Sequence, residues 1–162
     1  MLANVEIIEN PKESIDRAYD ISLSATEELL IVFPTINSFR RNLRTGMSMQ
    51  LLKEEYSKNN ARLRILTPVD NQIMQIIEEL KKVLSKLDIR VLNESIAESK
   101  NNKVTIVLAD RKESLIVEIK DDTKDNVYEA AGLSIYSNSK SIVWSYLAIF
   151  ETLWNQSRRP PI

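Results

Sequence analysis

The residues best suited to bind a charged ligand are arginines that follow the first strongly apolar run of the chain. Leu29 to Phe33 predicts a buried strand, and Arg40 and Arg44 lie one helical turn apart just beyond it. Ligands of open α/β sheets bind beyond the carboxyl ends of the strands, so the pattern predicts a site for an anionic small molecule. The plainer interpretation is a solvated basic surface, and we favour it. The residues assigned to this ligand are Thr35, Arg40, Arg44, Thr67 and Asp70.

A second group of polar residues precedes the last helix of the chain. Ser137 and Lys140 have the Ser-x-x-Lys spacing of a serine nucleophile activated by lysine. No partner motif accompanies them, and Ser139 is better explained as the cap of the helix that follows. We therefore assign Ser137, Asn138 and Lys140 to ligand binding, with no catalytic residue.

Several kinds of chemistry are excluded by composition. The chain has no Cys and no His, which excludes disulfides, thiolate chemistry, and histidine as a base, metal ligand or phosphoacceptor. Its two glycines, Gly46 and Gly132, cannot form a nucleotide-binding glycine loop. The acidic segment 121–125 lacks the spacing and glycine of a calcium loop, so it predicts a solvated loop. We expect no metal and no cofactor.

The charge balance predicts few electrostatic partners. The 162 residues have a formal net charge of -1, which gives no reason to expect nucleic acid or an anionic membrane as a partner. No apolar run approaches the roughly 18 residues that suggest a membrane span, and the first residues lack the features of a signal peptide. The sequence therefore predicts a cytoplasmic protein, with one domain over residues 1–157 and a tail over 158–162.

The order of apolar segments predicts an α/β fold. Asn10 and Asp70 stand where they can cap helices, and strands are expected around Leu29–Phe33, Leu63–Leu66 and Ile89–Leu92. Helices are predicted before and between them, one over residues 47–59. Two further apolar runs are joined by a connection too short for a crossover. The prediction is a mixed, mainly parallel sheet with an antiparallel hairpin and helices packed on it.

Residues 140–156 predict one long helix with two different faces. A broad apolar arc, which includes Ile149 and Phe150, should cover the sheet. The opposite face has a stripe of small residues beside an indole, and such a stripe lets another helix approach closely. Self-association through this face is one interpretation, and a solvated face with a stray Trp is the other. The residues of this face are Ser141, Trp144, Ser145, Ala148 and Thr152.

The end of the chain also resembles a known family. Tyr136 to Lys140 (YSNSK) and Ser145 to Gln156 (SYLAIFETLWNQ) are similar to the end of a sensor domain in archaeal histidine kinases. The resemblance implies an architecture related to phospholipase D-like folds. It does not extend to phospholipase D activity, because the paired H-x-K motifs of those enzymes need histidine.

The resemblance implies a non-catalytic signal-input module of a two-component histidine kinase. Ligand or partner binding would be relayed through the C-terminal helix to kinase dimerisation and catalytic domains, in a homodimer without nucleic-acid or membrane partners. The alternative is an effector-binding domain of a transcription regulator, since phospholipase D-like folds also serve there. An enzyme is the third class, and the missing His and Cys disfavour it.

Overall fold

The computed structural model describes residues 2–46, 52–54, 56, 60–93 and 103–161. Seven strands and five helices have defined bounds within these ranges. The strands are β1 (Val5–Ile8), β2 (Glu28–Val32), β3 (Arg62–Thr67), β4 (Leu87–Val91), β5 (Val104–Ala109), β6 (Glu113–Ile119) and β7 (Ala131–Ser137). The helices are α1 (Pro11–Ser24), α2 (Ile36–Thr45), α3 (Asn71–Val83), α4 (Val127–Ala130) and α5 (Lys140–Gln156).

The strands form one mixed sheet in the order β1-β7-β6-β5-β2-β3-β4. This confirms the predicted α/β class, the mixed sheet and the hairpin, which is β5–β6. The balance of pairings differs from the prediction, because β2–β3 and β3–β4 are parallel while the other four described pairings are antiparallel. The parallel half is the βαβαβ part of the chain, from β2 to β4. The later strands β5, β6 and β7 each pair antiparallel with their neighbours.

Helix starts follow the capping residues. The Asn10 carboxamide accepts hydrogen bonds from the backbone N–H groups of Lys12 and Glu13, as predicted. Asp70 caps α3 in the same way, and Thr35 forms a reciprocal capping box with Ser38. Ser139 stands at the cap position of α5 but makes no side-chain cap hydrogen bond; its hydroxyl lies 3.1 Å from the Ser141 hydroxyl instead.

One face of the sheet is covered by α1, α2 and α3. Its core joins the inner residues of the strands to helix residues such as Ile21, Phe39 and Ile77, all of them buried. Of the helix predicted over residues 47–59, only 52–54 and 56 are described, and those are helical; the rest lies outside the described residues. Leu52 and Tyr56 belong to the same core.

Helix α5 covers the opposite face. Val143, Leu147, Phe150 and Trp154 pack against sheet residues including Leu30 and Leu66. The bounds of the helix match the prediction, but Ile149 was expected in the buried arc and is 44% exposed. The buried apolar face of α5 is therefore narrower than the face predicted from the sequence.

Two arginines are sandwiched between α5 and the parallel strands. Arg64 of β3 lies 5.1 Å from the ring centre of Trp154, and Arg90 of β4 lies 4.6 Å from the same ring. Arg64 also pairs with Glu151 at 2.7 Å. Arg64 and Arg90 lie on the same face of the sheet because they are two positions apart in the β3–β4 register, and side chains alternate between faces along a strand.

The two edges of the sheet differ. At the β4 edge, Val91 forms an antiparallel bridge with Arg158, and Pro160 of the same tail is buried. At the other edge, the outer side of β1 pairs with no strand among the described residues. β1 was not predicted, because four residues of alternating burial give a weak signal. Among the described residues, no helix is both long and apolar enough to span a membrane.

Candidate functional site

A cavity of about 80 Å³ lies between α1, α2 and the sheet. One ordered water needs roughly 10–15 Å³ of such space, so the cavity has room for several waters or a small organic group. Its walls come from α1, α2, α4 and the inner faces of β2, β5 and β6. The lining residues are Ile15, Ala18, Tyr19, Ser22, Ile31, Phe33, Ser38, Arg41, Asn42, Thr105, Val107, Val117, Glu118, Ile119, Val127, Ala130 and Ala131.

Small side chains create this space. Ala18 of α1 faces the sheet, and Ala130 and Ala131 lie at the junction of α4 and β7. A larger side chain at any of them would fill the gap, because protein interiors are otherwise close-packed. Around them β2 contributes Ile31, and Phe33 follows directly after it; with other apolar residues of β5 and β6 they make the cavity wall mainly apolar.

A few polar groups interrupt the apolar wall. The hydroxyl of half-buried Tyr19 makes no hydrogen bond to any residue that the structure describes. Burial raises the pKa of this hydroxyl, and Tyr128 and Asp16 nearby add to the effect, so Tyr19 is protonated at neutral pH. The other polar residues of the lining are Ser22, Ser38, Arg41, Asn42, Thr105 and Glu118. The wall therefore offers hydrogen-bond donors and acceptors beside an apolar surface.

One side of the cavity is closed by Arg41. Its guanidinium donates to the carbonyl oxygens of Asp122 at 3.2 Å and Lys124 at 2.9 Å, and to the Asp122 carboxylate at 3.1 Å. The Arg41 side chain is only 5% exposed. Thr35 also donates to the Asp122 carboxylate, at 3.0 Å. These bonds hold the 121–125 loop against α2.

A polar depression of about 300 Å³ lies on the other side of Arg41. Arg40, Arg44 and the 121–125 loop line it. The charge of Arg40 is compensated by Asp70, whose carboxylate lies 2.6 Å away. Arg44 is exposed and makes no ion pair within the described part of the chain. Two of the three arginines on this part of α2, Arg40 and Arg41, are therefore neutralised by carboxylates, and Arg44 is the exposed one.

The predicted ligand residues fall into two groups at opposite ends of the strands. Thr35, Arg40, Arg44, Thr67 and Asp70 lie beyond the carboxyl ends of β2 and β3. Ser137 lies beside Ser114, which pairs with Leu108, which in turn pairs with Leu30 in the middle of β2, and β7 runs antiparallel to β2. Ser137, Asn138 and Lys140 are therefore at the amino ends of the parallel strands, so the eight residues form no single site.

The second group has a local structural role. Ser137 donates to the Asn4 carbonyl at 3.0 Å, and the Asn138 side chain accepts from the Asn4 N–H at 2.6 Å. Asn138 also donates to the Leu2 carbonyl at 3.3 Å. Lys140 is exposed at the first turn of α5. These contacts fasten the N-terminal segment to the end of β7.

Most of the first group is also engaged in the fold. Thr67 is fully buried and donates to the Pro68 carbonyl at 2.9 Å. Thr35 and Asp70 cap helices, as described above. The role of these residues in ligand binding stays a prediction, and Arg44 has the fewest competing contacts.

The face of α5 assigned to self-association points to solvent. Ser141, Trp144, Ser145, Ala148 and Thr152 are all exposed, and Trp144 is 59% exposed. Ser145 and Thr152 donate to the carbonyls one turn earlier, at 2.7 and 2.9 Å. Dimerisation through this face stays a prediction.

The acidic 121–125 loop is organised by its own hydrogen bonds. The Asp121 carboxylate accepts from the Thr123 hydroxyl at 2.6 Å and from its N–H at 3.0 Å, and these bonds lower the pKa of Asp121. Across the described residues, no cluster of three or more acidic, His or Cys side chains has the arrangement of a metal site.

The cavity itself was not predicted. Neither Arg41 nor Tyr19 is among the residues assigned to a site from the sequence. The signal that was available is the set of small residues at positions facing the sheet, above all Ala18.

Comparison with known proteins finds similarity at the level of the fold. No protein-family model and no curated protein matches the chain. Among solved structures, NucT from Helicobacter pylori superposes with a TM-score of 0.71 at 10% identity, covering 98% of this chain and 100% of NucT. Nuc from Salmonella typhimurium, a phospholipase D family member, gives 0.65 at 13% identity, covering 98% and 99%.

A third similar structure is that of TrmBL2, an archaeal chromatin protein described as showing a novel mode of DNA binding. The TM-score is 0.62 at 15% identity, and the match covers 96% of this chain and 54% of TrmBL2. This chain therefore spans about half the length of TrmBL2.

These comparisons contradict the function predicted from the sequence. The neighbours are a DNA-binding chromatin protein and phospholipase D-type proteins, and they give no support to a two-component histidine kinase sensor. The same neighbours contradict the predictions of no enzymatic activity and no nucleic-acid partner, because Nuc is a phospholipase D family member and TrmBL2 binds DNA. The alternative of a transcription regulator's effector domain agrees better with TrmBL2. The expected architecture is confirmed: the chain has a phospholipase D-like fold.

Proposed function

We propose that this chain is the effector-binding domain of a DNA-binding transcription regulator, and that the effector occupies the cavity between α1 and α2. The observation that supports this most is the cavity itself, whose wall is mainly apolar and includes the Tyr19 side chain. TrmBL2, which binds DNA, contains a region of the same fold that accounts for about half of its length.

The lining defines the chemistry of the effector. An apolar body fits against Ile31 and Phe33, and a hydrogen-bond acceptor is needed opposite the protonated Tyr19 hydroxyl. The Arg41 guanidinium is already bound to the 121–125 loop, so a strongly anionic effector would have to displace those contacts. We therefore expect a small, uncharged, largely apolar molecule with one or two polar groups.

Arg41 also provides the physical link from the effector to the surface. It lines both the cavity and the polar depression, and its bonds hold the 121–125 loop on α2. A ligand that contacts Arg41 in one arrangement of Arg41 and the 121–125 loop, but not in another, shifts the equilibrium between the two arrangements. The loop and the exposed end of α2 are then the surfaces that report the bound state.

A thermal-shift screen of small metabolites tests the binding site, with two variants in which an alanine is replaced by leucine. Ala18→Leu fills the cavity, while Ala148→Leu makes the same substitution on the exposed face of α5. We expect some metabolites to raise the melting temperature of the unmodified protein and of Ala148→Leu but not of Ala18→Leu. Equal shifts in all three proteins would place the ligand elsewhere and refute the cavity.

Chromatin immunoprecipitation of the native protein tests the regulator role. Occupancy at discrete promoters that changes when a screened metabolite is added supports it. Occupancy that is uniform, or unchanged by every metabolite bound in the cavity, contradicts it. Turnover of a phosphodiester by the purified chain would support an enzyme in its place.

A further inference from the structure

The outer edge of β1 pairs with no other strand among the described residues. The Asn138 N–H donates to the Asn4 carbonyl across the β1–β7 pair. Because hydrogen bonding alternates along an antiparallel pair, the backbone groups of Glu6 and Ile8 also face β7. The N–H and C=O groups of Val5 and Ile7 consequently point away from the sheet. Edges of this kind pair readily with another extended chain.

The fold treats its two edges differently. The β4 edge is covered by the tail, where Val91 exchanges both backbone hydrogen bonds with Arg158 at 2.8 and 3.3 Å. Nothing in the described part of the chain covers β1 in this way. The short strand lacks proline and bulges, which are common devices for blocking an edge.

The two faces beside this edge have different chemistry. On the α5 side, Val5 is 54% and Ile7 is 68% exposed, and the neighbouring Ile135 is 38% exposed. An incoming strand would find an apolar surface there. Burying exposed apolar side chains is favourable.

The other side of the edge is an acidic groove of about 750 Å³ between β1 and α1. Two of its carboxylates are compensated: Glu6 pairs with Arg17 at 2.9 Å and Asp16 with Lys12 at 2.7 Å. The remaining carboxylates of the groove make no ion pair with a described residue. They are Glu9, Glu13 and Asp20.

We propose that β1 binds an extended segment of a partner protein in which apolar and basic side chains alternate, and that this segment joins the sheet as an eighth strand beyond β1. Its apolar side chains would cover Val5, Ile7 and Ile135, and its lysines or arginines would enter the acidic groove. A second copy of this chain is a poor occupant, because pairing β1 with β1 would bring two acidic grooves together. This interaction is independent of the effector cavity.

A labelled peptide of alternating lysine and valine tests the proposal by fluorescence anisotropy with the full chain. The same peptide with glutamate in place of lysine is the control. Binding of the lysine peptide, without binding of the glutamate peptide, is expected. Amide hydrogen exchange should show new protection at Val5 and Ile7, whose N–H groups would become hydrogen-bonded.

Two sets of variants separate this site from general electrostatic attraction. Glu9→Lys with Asp20→Lys reverses two charges in the groove, and Glu78→Lys with Asp88→Lys makes the same change in net charge at exposed positions elsewhere. We expect the first pair to weaken peptide binding about tenfold and the second to change it less than twofold. Ile7→Pro, which removes an outward N–H, should also weaken binding.

Three results would overturn the proposal: no binding of the lysine peptide, equal binding of the glutamate peptide, or equal weakening by the two charge-reversal pairs. Protection of the Val5 and Ile7 amides in the protein alone, with a concentration-dependent dimer, would show that a second copy occupies the edge and would also refute it.

Discussion

Arg41 should contribute far more to stability than its neighbour Arg40, although both are on α2 and both face a carboxylate. The Arg41–Asp122 pair has side-chain exposures of 5% and 18%, whereas those of Arg40–Asp70 are 22% and 39%. Removing one partner of a buried pair costs about 3–5 kcal/mol, and an exposed pair contributes about 0.2–1 kcal/mol. Asp122 keeps some contact with water and a bond from Thr35, so we place Arg41→Ala near the lower limit, at about 3 kcal/mol.

Urea unfolding followed by circular dichroism measures this difference. Arg41→Met serves as a control, because it keeps the apolar stem and removes only the guanidinium. Hydrogen exchange should rise first in the 121–125 loop, since Arg41 donates three hydrogen bonds to that segment. If Arg41→Ala lowers the free energy of unfolding no more than Arg40→Ala, or if the loop keeps its protection, the assigned role of Arg41 is refuted.

Three further changes test other parts of the structure. Phe150→Ala should cost about 3–5 kcal/mol in urea unfolding because the ring is fully buried, whereas half-exposed Ile149 should cost under about 1.5 kcal/mol when changed to alanine; equal costs would mean that α5 is oriented differently. Burial and a hydrogen bond to Glu113 raise the pKa of Tyr136 to about 12. The stability that protonated Tyr136 contributes is therefore intact below about pH 10 and lost as pH rises towards 12. In an ultraviolet titration of tyrosine ionisation, the unmodified protein should show a phase near pH 12 that is missing in Tyr136→Phe. Burial opposes ionisation of Asp110, but three backbone N–H groups outweigh it and lower its pKa. Stability from Asp110 should be present above about pH 4 and lost as pH falls, and Asp110→Asn should flatten that acid limb in urea titrations.

The elements with long periodic patterns were predictable from the sequence. The bounds of α5 follow from its 17 residues of apolar periodicity, and α1 and α3 start at the capping residues Asn10 and Asp70. The hairpin β5–β6 follows from its short connection. Its turn contains Asp110 and Arg111, both at positive φ, without a glycine to signal it.

The arrangement of the sheet was less predictable. The continuous apolar run in β2 indicated a strand covered on both faces, as in a parallel sheet, but β2 pairs parallel with β3 and antiparallel with β5. Burial on both faces fixes the composition of a strand without fixing the direction of its neighbours. The short β1 depends on pairing with β7 and has little signal of its own.

The candidate site depended on tertiary structure to an even greater extent. Polar residues near strand ends were predictable as individuals, but the sequence alone did not show that Thr35 and Ser137 lie at opposite ends of the strands. A cavity is a property of side chains from several elements, so Ala18 and Tyr19 become informative only when α1 lies on the sheet. The family resemblance in α5 indicated an architecture correctly and a function wrongly, since one fold serves many functions.

Calorimetric titration of a metabolite found in the screen is the most direct test of an effector-binding cavity. The unmodified protein and Ala148→Leu should bind with the same Kd, and Ala18→Leu should bind at least tenfold more weakly, a loss of about 1.4 kcal/mol. If Ala18→Leu binds the metabolite as tightly as the unmodified protein while keeping its own fold, the cavity is not the effector site.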